Sequence, residues 1–224
     1  LELDIPETKV YLKIAGLIRE KIPMFLLAAA SAGITFYAQH QGGAVQSFDV
    51  LPLSDRLITA VTSYVIYISK TVYPVKLVVF YPYLVEISWW KSIVAIMTLA
   101  SLTGLAIKLL HRDSYIIVGW LWFLGTMVPV IGLVQVGGQS MADRYMYLPM
   151  IGLLIIIAWG IPDLLAYSRY KRAMVGLLAI ITISITSTIT WTQVGYWRNS
   201  TTLFSHAIGI MPDNVLARNK LGEA

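Results

Sequence analysis

Long apolar runs alternate with short polar segments along this chain. Residues 22–38, 90–110, 115–134, 146–166 and 173–192 are long apolar stretches, and 57–69 is a shorter one at helical spacing. A helix needs about 20 apolar residues, each rising about 1.5 Å, to cross a bilayer. The runs therefore predict membrane helices, since short alternating segments would be the mark of a barrel. Thr182 to Thr192 does alternate, but it lies inside an apolar run, so a helix is expected there with its Ser and Thr hydroxyls bonded back to the backbone.

The polar punctuation sets the boundaries. Residues 1–21 are polar, with a short helix expected over Thr8–Glu20 and a first span from Ile22 to Ala38 opened by Pro23. Lys70, Pro74 and Lys76 interrupt the stretch after 57–69, and Tyr81-Pro82-Tyr83 breaks it again before Glu86, Trp89 and Trp90. This reads as a helix that enters or crosses the membrane, followed by a re-entrant or interfacial element. Pro129, Pro149 and Pro162 should kink or end their helices. Between the runs 115–134 and 146–166 lies a polar island: Gln135, then Gly137 to Tyr145, containing Asp143 and Arg144 with Tyr145 and Tyr147 beside them.

Composition and charge sharpen this picture. The chain is 57% hydrophobic and only 13% charged, with a mean hydropathy of +0.70, where soluble domains carry about 25% charged residues. The expected fold is all-α and polytopic, with about five to six transmembrane helices. The net charge of +5 is loop charge that sets orientation, and no run of basic residues suggests nucleic acid. Lys9, Lys13, Arg19 and Lys21, then Lys108 and Arg112, then Arg169, Lys171 and Arg172 hold just over half of the Lys and Arg residues. Placing all three clusters in the cytoplasm turns the polar island and the C-terminal tail outward, provided residues 57–88 make no net crossing. Cysteine is absent, and His40, His111 and His206 carry no ligand spacing, so no metal site is expected. The chain does not begin with Met and reads as a piece of a longer protein.

The division expected is a membrane domain over 1–193 and an extracytoplasmic helical tail over 194–224. The tail carries Phe204, Ala207, Ile208, Pro212, Ala217, Leu221 and Gly222. That pattern fits either the junction of two tetratricopeptide helix pairs or an ordinary amphipathic helix with a proline stop.

Several strings taken in order resemble one family. They are Gln39-x-x-Gly42-Gly43-Ala44-Val45, Tyr81-Pro82-Tyr83, Gly125-Thr126-Met127-Val128-Pro129, Ala142-Asp143-Arg144-Tyr145-Met146-Tyr147-Leu148-Pro149 and Trp197-Arg198-Asn199, followed by the repeat-like tail. Together they resemble the bacterial relatives of the transmembrane, tetratricopeptide-containing O-mannosyltransferases, polytopic GT-C glycosyltransferases. The resemblance implies transfer of a sugar from a polyprenyl-phosphate carrier to a hydroxyl acceptor on the outer face of a bacterial inner membrane. It implies a lipid-linked sugar as donor, no further cofactor, and a protein or peptide acceptor met through the repeat region. The family's acidic catalytic residues belong to an outer loop after the first span. Asp49 and Asp55 lack that context, so the chain reads as the C-terminal half of the membrane domain, with the catalytic base upstream.

On that resemblance Arg144 is the leading ligand for the carrier phosphate, because a guanidinium offers a charged bidentate fork. Asp143 would orient Arg144 or neutralise it. Lys70 is a second phosphate ligand or a snorkelling lysine. Arg56 is a supporting cation or a helix-end anchor. Tyr81, Tyr145 and Tyr147 shape a groove or serve as interfacial tyrosines, Gly42-Gly43 makes a turn, and Asp163 ends a span. Two other functions fit the composition: a non-catalytic membrane anchor that displays a tetratricopeptide domain, and a transporter, which would show internal duplication and midplane charge that this sequence lacks.

Overall fold

A computed structural model describes residues 7–41, 52–79, 81–82, 89–132 and 139–224. The sequence readings on Gly42, Gly43, Asp49, Tyr83, Glu86, Gln135, Gly137 and Gly138 lie outside the described residues. Residues 1–46 and 47–224 form two compact units.

The first unit holds α1 (Glu7–Gln41), 35 residues long with Pro23 inside it. The expectation of a short helix followed by a separate span is corrected to one continuous helix. Pro23 lacks only the N–H that would meet the Arg19 carbonyl, and the helix runs on through that single missing rung.

Among its described residues the second unit is helical apart from one small ribbon. Its elements are α2 (Leu53–Val72), β1 (Tyr81–Pro82), α3 (Trp89–Lys108), α4 (Ser114–Met127), β2 (Gln139–Met141), a 3-10 turn (Asp143–Met146), α5 (Pro149–Leu164), α6 (Lys171–Tyr196), α7 (Ser200–Ile210) and α8 (Val215–Gly222). The fold is mostly helical. Among the described residues, α3 and α6 are long and apolar enough to cross a membrane, while α4 and α5 are apolar but shorter.

The prolines explain the shorter helices. The run 115–134 does not become one 20-residue helix. It ends at Met127, two residues before Pro129, which has no N–H to give the Gly125 carbonyl; the Val128 N–H takes that carbonyl instead, in a tighter turn. Pro149 sits at the start of α5, where its missing N–H would be unpaired in any case, and α5 ends two residues after Pro162. The alternating stretch in α6 is helical, with hydroxyls of Thr186, Thr188 and Thr192 donating to the carbonyls of Thr182, Ser184 and Thr188 at 2.8, 2.9 and 3.2 Å.

The core forms where α2, α3, α4 and α5 meet. Arg56, Thr59, Ala60, Ser63 and Tyr67 are the buried residues of α2, and their spacing puts them on one face. Phe123 and Met127 of α4 are fully buried, and Tyr64 meets Phe123 edge-on at 5.7 Å. α4 and α5 cross closely. A Cβ placed on Gly119 would lie 2.4 Å from the Gly152 carbonyl oxygen, and one on Gly152 would lie 2.3 Å from that of Gly119. Only glycine lets two helix backbones meet at that separation.

The polar island is more than a loop. Its β2 pairs antiparallel with β1, placing Tyr81 opposite Met141 and Pro82 opposite Gln139. The Ser140 hydroxyl donates to the Tyr81 and Pro82 carbonyls at 3.3 and 3.1 Å. That ribbon ties the segment after α2 to the segment before α5.

Candidate anion site

The ribbon and α2 together hold the Asp143-Arg144 pair in place. Tyr67, buried on α2, donates its hydroxyl to the Ala142 carbonyl and accepts from the Ala142 N–H, each at 3.0 Å. Both backbone groups of the residue preceding Asp143 are thereby satisfied by one side chain. From there the chain turns tightly through Asp143–Met146.

Asp143 is claimed by Tyr81. The Tyr81 hydroxyl donates to the carboxylate, lying 2.9 and 3.0 Å from its two oxygens, and accepts from the Val78 N–H at 3.2 Å. Burial raises the Asp143 carboxyl above its ordinary range, against the opposing pull of the Tyr81 hydrogen bond and of the Lys70 charge. Burial also raises the Tyr81 phenol, and the nearby Asp143 charge adds to that rise. The phenol therefore stays protonated and remains a donor.

Lys70 completes this cluster from the last turn of α2. Its ammonium donates to the Val75 and Lys76 carbonyls at 3.3 and 3.1 Å and lies 4.7 Å from the Tyr81 ring centroid. Lys76 has φ of 54°, a left-handed conformation that is uncommon outside glycine. Lys70 is thus occupied by backbone carbonyls, and it lines a separate hollow with Ser69 and Tyr73.

Arg144 is in a different situation. It is exposed, with one Nη 3.4 Å from the Gln139 amide oxygen and its guanidinium 5.2 Å from the Tyr145 ring centroid. The Gln139 amide nitrogen in turn donates to the Tyr145 hydroxyl. Among the described residues the ion pairs are Arg112–Asp113 and Lys220–Glu223, so no described carboxylate pairs with Arg144. Of the two readings of Asp143, neutralising its neighbour is not what the geometry does.

Asp143 and Arg144 line a cavity of about 190 Å³, whose other walls include Leu77, Val78, Tyr196, Trp197 and His206. Its wall is mostly apolar. His206 of α7 stacks on Tyr196 at 3.7 Å and 12°, and its Nε2 donates to the Leu77 carbonyl at 3.2 Å. That contact joins the tail to the segment between α2 and β1.

The sequence-selected residues fall into three groups. Asp143 and Arg144 share the cavity, with Tyr145 and Gln139 behind Arg144. Lys70 and Tyr81 connect to it through Asp143. Arg56 is buried in the first turn of α2, only 2% exposed. It stands about four turns, roughly 21 Å along the axis, from Lys70. Asp163 accepts from the Tyr115 hydroxyl at 3.0 Å, clasping the end of α5 to the start of α4. Tyr67, Tyr196 and His206 were not singled out by sequence reasoning. Tyr67 carried a signal, since it continues the α2 stripe of Arg56, Ala60 and Ser63 at helical spacing. His206 carried none, because its partners Tyr196 and Leu77 lie on other elements.

Comparison of the chain with protein-family models, curated proteins and solved structures finds no match.

Proposed function

We propose that this chain is the membrane part of a glycosyltransferase that takes a sugar from a polyprenyl-phosphate carrier and gives it to a hydroxyl acceptor on the outer face of a bacterial inner membrane. The observation that carries this reading is the separation of charges in the polar island. Asp143 is bonded to Tyr81, which leaves the Arg144 guanidinium on a largely apolar cavity with no described carboxylate in ion-pair contact with it. The cavity lies at the C-terminal end of α6, a helix long and apolar enough to span a bilayer. A cation at the end of such a helix suits an amphiphile whose phosphate sits at the headgroup level. In the transfer, Arg144 would stabilise the negative charge that grows on the departing carrier phosphate. The basic clusters at Lys108, Arg112, Arg169, Lys171 and Arg172 support an outward-facing island and tail. The acceptor, a protein or peptide, would approach past α7 and α8.

The test is binding of a polyprenyl phosphate to the full-length protein in lipid nanodiscs, followed by native mass spectrometry. Arg144→Ala should weaken binding at least tenfold, about 1.4 kcal/mol, with an unchanged melting temperature. Arg144→Lys should recover only part of it, because an ammonium cannot form the two-pronged contact. Equal binding by wild type and Arg144→Ala rejects the assignment.

A second reading draws on the tail. Ala207 and Ala217 are fully buried in the α7–α8 pair, whose helices are capped by the Asn199 and Asn214 side chains. A tightly packed helix pair at the end of an apolar bundle suits a non-catalytic anchor that displays a tetratricopeptide array. On that reading polyprenyl phosphate binding does not depend on Arg144.

A further inference from the structure

The polar side chains that line the Arg144 cavity differ in what they can offer a ligand. A guanidinium only donates hydrogen bonds, and the Asp143 carboxylate is already engaged by Tyr81. Two further polar side chains of the lining are Gln193 of α6 and His206 of α7, both half-buried.

His206 is held on two sides. Its ring stacks on Tyr196 at 3.7 Å and 12°, and its Nε2 lies 3.2 Å from the Leu77 carbonyl oxygen. A carbonyl oxygen has no proton to give, so Nε2 carries one. In the neutral ring Nδ1 is then a lone pair, an acceptor whose state is set by the bond on the other nitrogen. Among the described residues Nδ1 has no partner. The Thr202 hydroxyl, one turn back on α7, is turned to the Tyr196 and Asn199 carbonyls, each at 3.1 Å.

The cavity thus combines a cation with an acceptor that lacks a proton. An ionised phosphate satisfies the cation alone, because its own oxygens are acceptors. A ligand that satisfies both carries a hydroxyl beside its phosphate. In a largely apolar wall an unmet acceptor costs more than it does in water, so a ligand without that hydroxyl is disfavoured.

We propose that His206 Nδ1 accepts a hydrogen bond from a hydroxyl of the sugar on the carrier phosphate, and so selects the glycosylated lipid over the bare one. This assignment rests on the lipid-phosphate reading of Arg144. It makes His206 a specificity-determining residue, with Leu77 and Tyr196 fixing its tautomer and its plane.

The experiment uses the full-length protein in lipid nanodiscs and native mass spectrometry. The probes are a long-chain polyprenyl phosphate and its mannosyl and glucosyl phosphodiesters. Wild type should hold at least one glycosylated lipid about fivefold more tightly than the bare one, the worth of one hydrogen bond. Two variants separate this role from a merely structural one. His206→Gln places an amide N–H near the Nε2 position, where it can keep the Leu77 bond, and has no acceptor at Nδ1. His206→Asn places an amide oxygen near Nδ1 and gives up the Leu77 bond. The preference should vanish in His206→Gln and persist in His206→Asn, with binding of the bare lipid close to wild type in both. A wild type without the preference, or a preference kept by His206→Gln, overturns the assignment. Loss of the preference in both variants assigns it to the packing of the ring and overturns it equally. Failure of the headgroup reading looks different: Arg144→Ala would then bind the bare lipid at the wild-type level, whatever stands at position 206.

Discussion

The Tyr81 hydroxyl lies 2.9 and 3.0 Å from the two carboxylate oxygens of Asp143, across a sequence separation of 62 residues. This bond gives Asp143 a partner other than its neighbour Arg144. Asp143 and Arg144 are neighbours in sequence, and successive side chains in a tight helical turn point in different directions. Tyr81 offers Asp143 a better-placed partner, and no described carboxylate pairs with the guanidinium.

Tyr81→Phe removes the donor and keeps the ring. The half-buried Asp143 carboxylate should then turn to Arg144 and compete with any phosphate. We expect polyprenyl phosphate affinity to fall about tenfold and the double variant Tyr81→Phe/Asp143→Asn to regain it. Nanodisc binding of the four proteins in the cycle measures this. A double variant no better than Tyr81→Phe alone would show that Asp143 is not the competitor.

Asp143 also gives stability a defined pH dependence. Burial raises its folded pKa above the unfolded value, so the folded state takes up the proton more readily. The stability linked to protonation is fully present below the ordinary carboxylate pKa and is lost as pH rises through the raised folded pKa. Relative to Asp143→Asn, wild type should gain thermal stability as pH falls through that window, and the difference should be flat above the raised folded pKa. Melting curves of both proteins across acidic and neutral buffers decide it; a difference that shrinks on acidification contradicts the assignment.

Gly119 and Gly152 form the α4–α5 crossing, each with the other's carbonyl oxygen within 2.4 Å of where a Cβ would stand. Because the obstacle is backbone, no side chain can rotate away. Gly119→Ala and Gly152→Ala should each lower stability by about 1–3 kcal/mol, the range for overpacking a tight interface. Gly104→Ala is the control, since nothing lies within 4 Å of its added methyl. Thermal or denaturant unfolding of the three variants gives the comparison, and equal losses in all three would remove the crossing as the cause.

Much of the helical frame was legible without the fold. The apolar runs at 90–110, 146–166 and 173–192 mark α3, α5 and α6 to within a few residues, because a helix with apolar side chains on most faces leaves a long uninterrupted trace. Where the reading failed, a proline was weighed wrongly. Pro129 ended α4 at Met127, since it has no N–H for the Gly125 carbonyl, whereas Pro23 cost α1 one rung and did not divide it.

The site was half legible. An Asp-Arg pair between two apolar runs stands out in any reading of the sequence, as do tyrosines beside it. What local pattern could not reveal is how the pair divides. The partners of Asp143, Ala142 and the pocket wall are Tyr81, Tyr67, Tyr196 and His206, and all of them arrive from distant elements. Hydrophobic periodicity reports which face of an element is buried, and it carries no record of which residue stands across from it. The sequence by itself determined that this chain is helical and apolar, with its charge concentrated in short polar segments. The tertiary structure alone decided that Asp143 is held by Tyr81, that Lys70 is spent on backbone carbonyls, and that Arg144 remains on the cavity. Those outcomes depend on distances of about 3 Å between groups far apart in the chain, and only the packing of α2, the ribbon and α6 sets such distances.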